Sequence, residues 1–212
     1  MRRFRHAEAG PDAQGGGTGA ASGGVDEHRS PGLKAALAGP SARVGCRVLD
    51  LGPALPANID FLSGFASHLS IADLSADDGL APGTDLWRRR LADIAGPFDL
   101  VLVWDLLSHL DRQQARDLVG WLKPATRQGG ALFLLVHEGP EMPARPQVFE
   151  IRSDEQILYR PSGLGAIAAP RIPPAEVARL LSGFRIDASF VLRHGVREYV
   201  AVRTECDEDH SL

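Results

Sequence analysis

The sequence predicts an α/β protein of three layers, a mostly parallel sheet between helices, closed at its C-terminal end by an antiparallel hairpin. Three observations carry this. Residues 47–51, 98–105 and 131–136 are short, nearly continuous apolar runs, the composition of strands buried on both faces. Between them lie segments whose apolar residues recur at helical spacing. Finally, the alternating stretch 184–192 and the strand-like stretch 196–202 are separated only by a turn at His194-Gly195, and so short a connection joins antiparallel neighbours.

The elements follow in order. Residues 7–31 are rich in Gly, Ala, Ser and Asp and include Gly15-Gly16-Gly17-Thr18-Gly19. Such a stretch buries too little apolar surface to offset its ordering entropy, so it reads as a flexible leader. The Gly run has no strand before it and no Lys-Ser/Thr after it, which makes it a linker rather than a phosphate loop. A short helix is expected near 32–38, with Leu33 and Leu37 one turn apart and Gly39-Pro40 as its stop. Residues 1–40 thus form a leader, 41–204 the domain, and 205–212 an acidic tail.

Within the domain, the strand at 47–51 ends in Asp50-Leu51-Gly52 and a stiff turn, Pro53-Ala54-Leu55-Pro56. Ile59, Leu62, Phe65, Ala66 and Leu69 then recur at helical spacing, and a second strand, 69–73, closes on Asp73. After a polar loop containing Asp77 and Asp78, Thr84 can cap a helix that puts Trp87, Leu91 and Ile94 on one face. The strand at 98–105 is followed by Asp111 and Gln114, spaced as a capping box for a helix with Ala115, Leu118, Trp121 and Leu122 inward. Gln128-Gly129-Gly130 leads into the strand at 131–136, with His137-Glu138 at its end. Five prolines break the pattern between 139 and 172, where 148–152 and 156–159 predict a hairpin around Ser153-Asp154-Glu155. The segment 145–172 reads as an inserted lid or surface elaboration. Pro173-Pro174 starts a last helix, ended by Gly183.

Composition bounds the function. The chain has 212 residues, 44% of them hydrophobic, enough for one sizeable domain with tails. Without residues 1–40 and 205–212, 18 Lys/Arg face 19 Asp/Glu, so bulk positive charge for a nucleic-acid groove is absent. No apolar run is long enough to cross a membrane, and the basic start lacks the apolar stretch of a secretory signal. The two cysteines, Cys46 and Cys206, have no metal-ligand spacing, which suits a reducing, cytoplasmic setting. His109 and His137 lack a third partner at ligand spacing, so no metal site is expected.

The order and spacing of Val48-Leu49-Asp50-Leu51-Gly52, Ala72-Asp73, Phe98-Asp99-Leu100-Val101 and Gly129-Gly130-Ala131-Leu132, with Gly183-Phe184 opening the terminal strands, resembles the class I S-adenosylmethionine-dependent methyltransferases. The resemblance covers about residues 41–204 and implies a Rossmann-like sandwich. It implies that Asp50, Gly52 and Ala54 line the methionine half of S-adenosylmethionine. Asp73 would accept from the ribose hydroxyls, and Asp105 would stand at the mouth of the cleft. Methyl transfer then needs alignment and sometimes a base. His137 is the first candidate, Glu138 its orienter or substitute, and His109 the second candidate. The acceptor would be a small molecule or a protein side chain, since no Asn-Pro-Pro-Tyr motif is present. The chain departs from the family at Ala54, where a glycine is usual, and at Pro53 and Pro56, which remove N–H groups. The family's third strand has no clear counterpart. These departures leave the alternative of a binding or regulatory protein that keeps the fold without catalysis.

Overall fold

The structure, a computed structural model, describes residues 26–39, 43–76, 86–160, 165–170, 172–192 and 195–204. The Gly15–Gly19 run, Asp77, Asp78, the Thr84 cap, His194 and the acidic tail lie outside the described residues.

In chain order the elements are β1 (Asp26–Arg29), α1 (Pro31–Leu37), β2 (Arg47–Asp50), α2 (Pro56–Ser63), β3 (His68–Ile71), α3 (Leu86–Leu91), β4 (Phe98–Trp104) and α4 (Leu106–His109). They continue with α5 (Arg112–Ala125), β5 (Thr126–His137), β6 (Glu141–Pro143), β7 (Val148–Ser153), β8 (Gln156–Arg160), β9 (Ala166–Ala168), α6 (Pro174–Leu180), β10 (Phe184–Val191) and β11 (Val196–Arg203). The central sheet has the order β10-β11-β5-β4-β2-β3. Strands β3, β2, β4 and β5 run parallel, and β11 is antiparallel to both β5 and β10. The expected mostly parallel sheet with a closing hairpin is therefore present.

Each face of the sheet has its own apolar layer. Leu49, Val101, Val103, Leu132 and Leu134 pack against α5, α6 and the Trp87 face of α3. Val48, Leu100, Leu102, Phe133 and Leu135 pack against α1, α2 and the β7–β8 hairpin. Strand alternation explains the division: odd and even positions of a doubly buried strand serve different layers. Each fully buried Leu or Phe here contributes roughly 1.5–3 kcal/mol. The capping box at Asp111 and Gln114 forms as its spacing predicts and starts α5.

Several boundaries differ from the expectation, among them the start of β5, at Thr126 instead of 131, and two have a clear physical cause. The leader gains structure at Asp26, five residues before the end of the predicted flexible stretch. Strand β1 pairs with β8, making a three-stranded sheet with β7. Polar Asp-Glu-His-Arg carries no strand signal; its order comes from a partner about 130 residues away. Ser30 then caps α1, accepting from Leu33 N–H at 3.2 Å and donating to the buried Glu198 of β11. Gly32 N–H also donates to Glu198, at 2.7 Å, and a Cβ on Gly32 would collide with that carboxylate. The second difference is α2, which stops at Ser63 although helical spacing runs on to Leu69. Gly64 ends it, and Leu69 belongs to β3.

The predicted hairpin at 148–160 forms and lies across α2. Asn58, buried on α2, donates to Phe149 C=O at 3.0 Å and accepts from Ile151 N–H at 2.7 Å. A side-chain amide thus satisfies two buried backbone groups and fixes the hairpin over the carboxyl end of β2.

Candidate functional site

The carboxyl ends of β2, β3, β4 and β5 share one edge of the sheet, and three polar groups stand there. The first surrounds Asp50. Its Oδ1 accepts from Gly52 N–H at 2.9 Å and from Trp104 Nε1–H at 2.6 Å, while Oδ2 is buried without a hydrogen-bond partner among the described residues. Burial pushes the Asp50 carboxyl up to about 6, against the opposing pull of the Trp104 and Gly52 bonds. The Trp104 indole lies directly over Gly52: a Cβ there would come within 2.8 Å of Nε1. Trp104 itself has φ 56°, the left-handed region that a bulky residue enters only when its surroundings hold it there. Those surroundings are Asp50, the Phe149 ring stacked 5.2 Å away at 6°, and the Phe133 ring edge-on at 5.8 Å. Ala54, by contrast, is exposed on the turn.

The second group is Asp73, just past β3. Its half-buried carboxylate accepts through Oδ1 from Ser75 N–H at 2.9 Å and Ser75 Oγ–H at 2.6 Å. Oδ2 has no partner among the described residues. Arg90 of α3 donates to the Asp73 backbone carbonyl and holds this strand end against the helix layer.

The third group gathers Asp105, His109 and His137. Asp105 follows β4 and opens the short α4, whose single turn brings His109 back over it; His137 ends the neighbouring β5. Asp105 Oδ2 lies 3.3 Å from His109 Nε2 and 3.3 Å from His137 Nε2, and accepts from Gln147 N–H at 3.1 Å. Asp105 is fully buried and its Oδ1 has no hydrogen-bond partner among the described residues. Burial alone would raise this carboxyl, but the hydrogen bonds and charge of the two imidazoles outweigh it and hold the group below its usual range. His137 N–H donates to Ser108 Oγ at 3.1 Å, which fixes the backbone that carries the ring.

Of the residues singled out from sequence, Asp105, His109 and His137 meet in one cluster, and Asp50 accepts directly from Gly52 N–H. Glu138 does not join them. Alternation along β5 turns it to the other side, where it accepts from Arg197 Nε at 2.7 Å and Tyr199 Oη at 3.5 Å. The carboxylate beside His137 is Asp105. A third group that could ligate does stand beside His109 and His137: Asp105, four residues before His109 on a helical turn, a spacing that could have revealed it. Sequence reasoning also passed over Trp104, hidden in an apolar strand, and Asn58, a polar residue one turn before the inward Leu62.

No protein-family model matches the chain, and no curated protein sequence matches it. Its fold is similar to solved structures of low identity. One is the N-methyltransferase NodS from Bradyrhizobium japonicum WM9, at 15% identity and TM-score 0.49, covering 82% of this chain and 93% of that one. Another is an S-adenosylmethionine-dependent methyltransferase from Clostridium acetobutylicum, at 11% identity and TM-score 0.49, covering 76% and 85%. A third is the 1,6-didemethyltoxoflavin-N1-methyltransferase from Burkholderia thailandensis, solved with S-adenosylhomocysteine, at 19% identity and TM-score 0.48, covering 83% and 80%. No helix among the described residues is long and apolar enough to cross a membrane.

Proposed function

We propose that the chain is a methyltransferase that uses S-adenosylmethionine, with a small molecule or a protein side chain as acceptor. Asp73 carries the reading. Its carboxylate stands at a strand end beside the Asp50-Leu51-Gly52 turn, with Oδ1 fixed by Ser75 and Oδ2 able to accept from a ribose diol. When bound, the cofactor supplies an electrophilic methyl group on a sulfonium. The protein's part is alignment and, for an acceptor that carries a proton, its removal. His137 and His109 suit that task, because Asp105 fixes Nε2 of each ring. In the neutral form, each ring donates Nε2–H to Asp105 and keeps Nδ1 as the base. Glu138 is engaged by Arg197 and takes no part.

The two ends of the cleft fit the cofactor unequally. The ribose end offers Asp73. The methionine end is covered by the Trp104 indole over Gly52, so binding there requires the indole to leave Asp50 and Phe149. That same indole favours a second reading: a binding or regulatory protein that retains the fold without transferring methyl groups.

Calorimetric titration of the full chain with S-adenosylmethionine and S-adenosylhomocysteine separates the two. The first reading expects binding by the wild type and tighter binding by Trp104→Ala, which need not displace an indole. Asp73→Ala should weaken binding by roughly 1–3 kcal/mol, about 5- to 150-fold, because it leaves ribose hydroxyls unpaired. Binding confined to Trp104→Ala would favour the second reading. No heat at millimolar ligand with either protein would end the first.

A further inference from the structure

We propose that Asp105, His109 and His137 form a binding site for a divalent transition metal of the zinc class, with three protein ligands and one open position. The ligand atoms lie within 4.8 Å of one another, on three separate pieces of the scaffold: the end of β4, the turn of α4 and the end of β5. The separation of the carboxylate from each imidazole is also one that a bound ion would accept. Both Nε2–Oδ2 separations are 3.3 Å. A tetrahedron with bonds of about 2.0 Å has an edge of about 3.3 Å, the spacing that Zn–N and Zn–O bonds impose on neighbouring ligands.

A second observation points to a ligand. Asp105 Oδ1 is fully buried and has no hydrogen-bond partner among the described residues, a cost of about 1–3 kcal/mol that a cation held by both carboxylate oxygens would remove. The outer contacts also suit a metal centre: Gln147 N–H holds Asp105 Oδ2, and Ser108 Oγ fixes the His137 backbone. Two imidazoles with one carboxylate select zinc, cobalt, nickel or ferrous iron over magnesium or calcium, which prefer all-oxygen shells.

With an ion in place the two imidazoles are ligands and no longer bases. An acceptor hydroxyl ligated at the open position would be more acidic and would release its proton to solvent water, as zinc-bound water ionises at ~pH 7. The site therefore suits an acceptor that ligates through oxygen. The proposal does not depend on methyl transfer, and its test contains no cofactor.

The test is titration of Co²⁺ into the chelator-stripped, tag-free full chain. We expect the intense visible bands of tetrahedral Co²⁺, saturating at one ion per chain and removed by Zn²⁺. His109→Gln and His137→Gln should each weaken binding by at least about tenfold. His68→Gln, exposed and bonded to Ser70, should leave it unchanged. X-ray absorption of the zinc-loaded wild type is independent of any variant's folding and should report two imidazole ligands. Weak octahedral bands, affinity unchanged in both histidine variants, or a zinc shell without two imidazoles would overturn the proposal.

Discussion

Asp50 ends β2 and Asp105 follows the end of neighbouring β4; both are buried, and both keep one oxygen without a hydrogen-bond partner among the described residues. Their environments nevertheless drive them in opposite directions. Asp50 meets neutral donors, an indole N–H and a backbone N–H, which offset only part of the desolvation cost, and its carboxyl rises to about 6. Asp105 meets two imidazoles that can carry charge, and its carboxyl is lowered. Burial alone does not decide what a buried acid becomes; the charge its partners can offer does. One strand end is thereby an aromatic plug held by a carboxyl that protonates easily. The next is a carboxylate kept ionised between two imidazoles.

The comparison breaks most visibly at Asp105. Asp105→Ala strips two imidazoles and the Gln147 N–H of their shared acceptor, and leaving buried donors unpaired at about 1–3 kcal/mol each should cost more than about 3 kcal/mol in all. Urea unfolding at pH 7 with a chelator present, so that only the protein network is read, measures it. A loss under about 1 kcal/mol would mean that water reaches the cluster and satisfies the imidazoles instead.

Asp50→Asn should behave differently. The Asp50 carboxyl lies above its unfolded value, so the folded state holds its proton more tightly. That contribution is fully present below about pH 3.8 and is lost as pH rises through about 6, a total of about 3 kcal/mol. Asparagine keeps an acceptor for Trp104 and Gly52 and carries no charge. The variant should therefore gain stability on the wild type between pH 4 and pH 8 instead of losing it. Asp105 has the reverse sign: its contribution is present above the unfolded value and is lost as pH falls through its lowered one. Parallel pH profiles for the wild type and Asp50→Asn would show that Asp50 is ionised at no cost, contrary to its burial.

The sequence made one of these two sites far easier to read than the other. Apolar runs at β2, β4 and β5 announced the sheet and placed Asp50, Asp105 and His137 at its edge. The turn Ser153-Asp154-Glu155 announced the β7–β8 hairpin. What these signals lack is long-range pairing. Strand β1 exists because β8 lies beside it, and its four polar residues hold no trace of that. Glu138 could be placed next to His137 in sequence, but not turned toward Arg197, 59 positions on. Asp105 was visible at a strand end, yet its two imidazoles converge only once α4 folds back and β5 docks on β4. Trp104 was hidden most deeply. Nothing local distinguishes an indole that fills a layer from one turned at φ 56° over a glycine; that choice belongs to Asp50 and Phe149.

The finest division between the two carboxyls rests on a single N–H. Trp104→Phe keeps an aromatic ring for Phe149 and Phe133 to pack against but removes the 2.6 Å bond to Asp50 Oδ1. That bond is the largest influence opposing burial, so without it the Asp50 carboxyl should rise above about 6. The loss of stability should then depend on pH. At pH 5 the folded wild type holds Asp50 mostly protonated, and the variant loses a neutral hydrogen bond, about 1 kcal/mol. At pH 8 Asp50 is ionised in the wild type, and a hydrogen bond to a charged group is worth about 1.5–3 kcal/mol. Urea unfolding at the two pH values should show the larger deficit at the higher one. An equal deficit at both would mean that the indole stabilises this strand end by packing alone, and that Asp50 takes its neutral character from burial without help from Trp104.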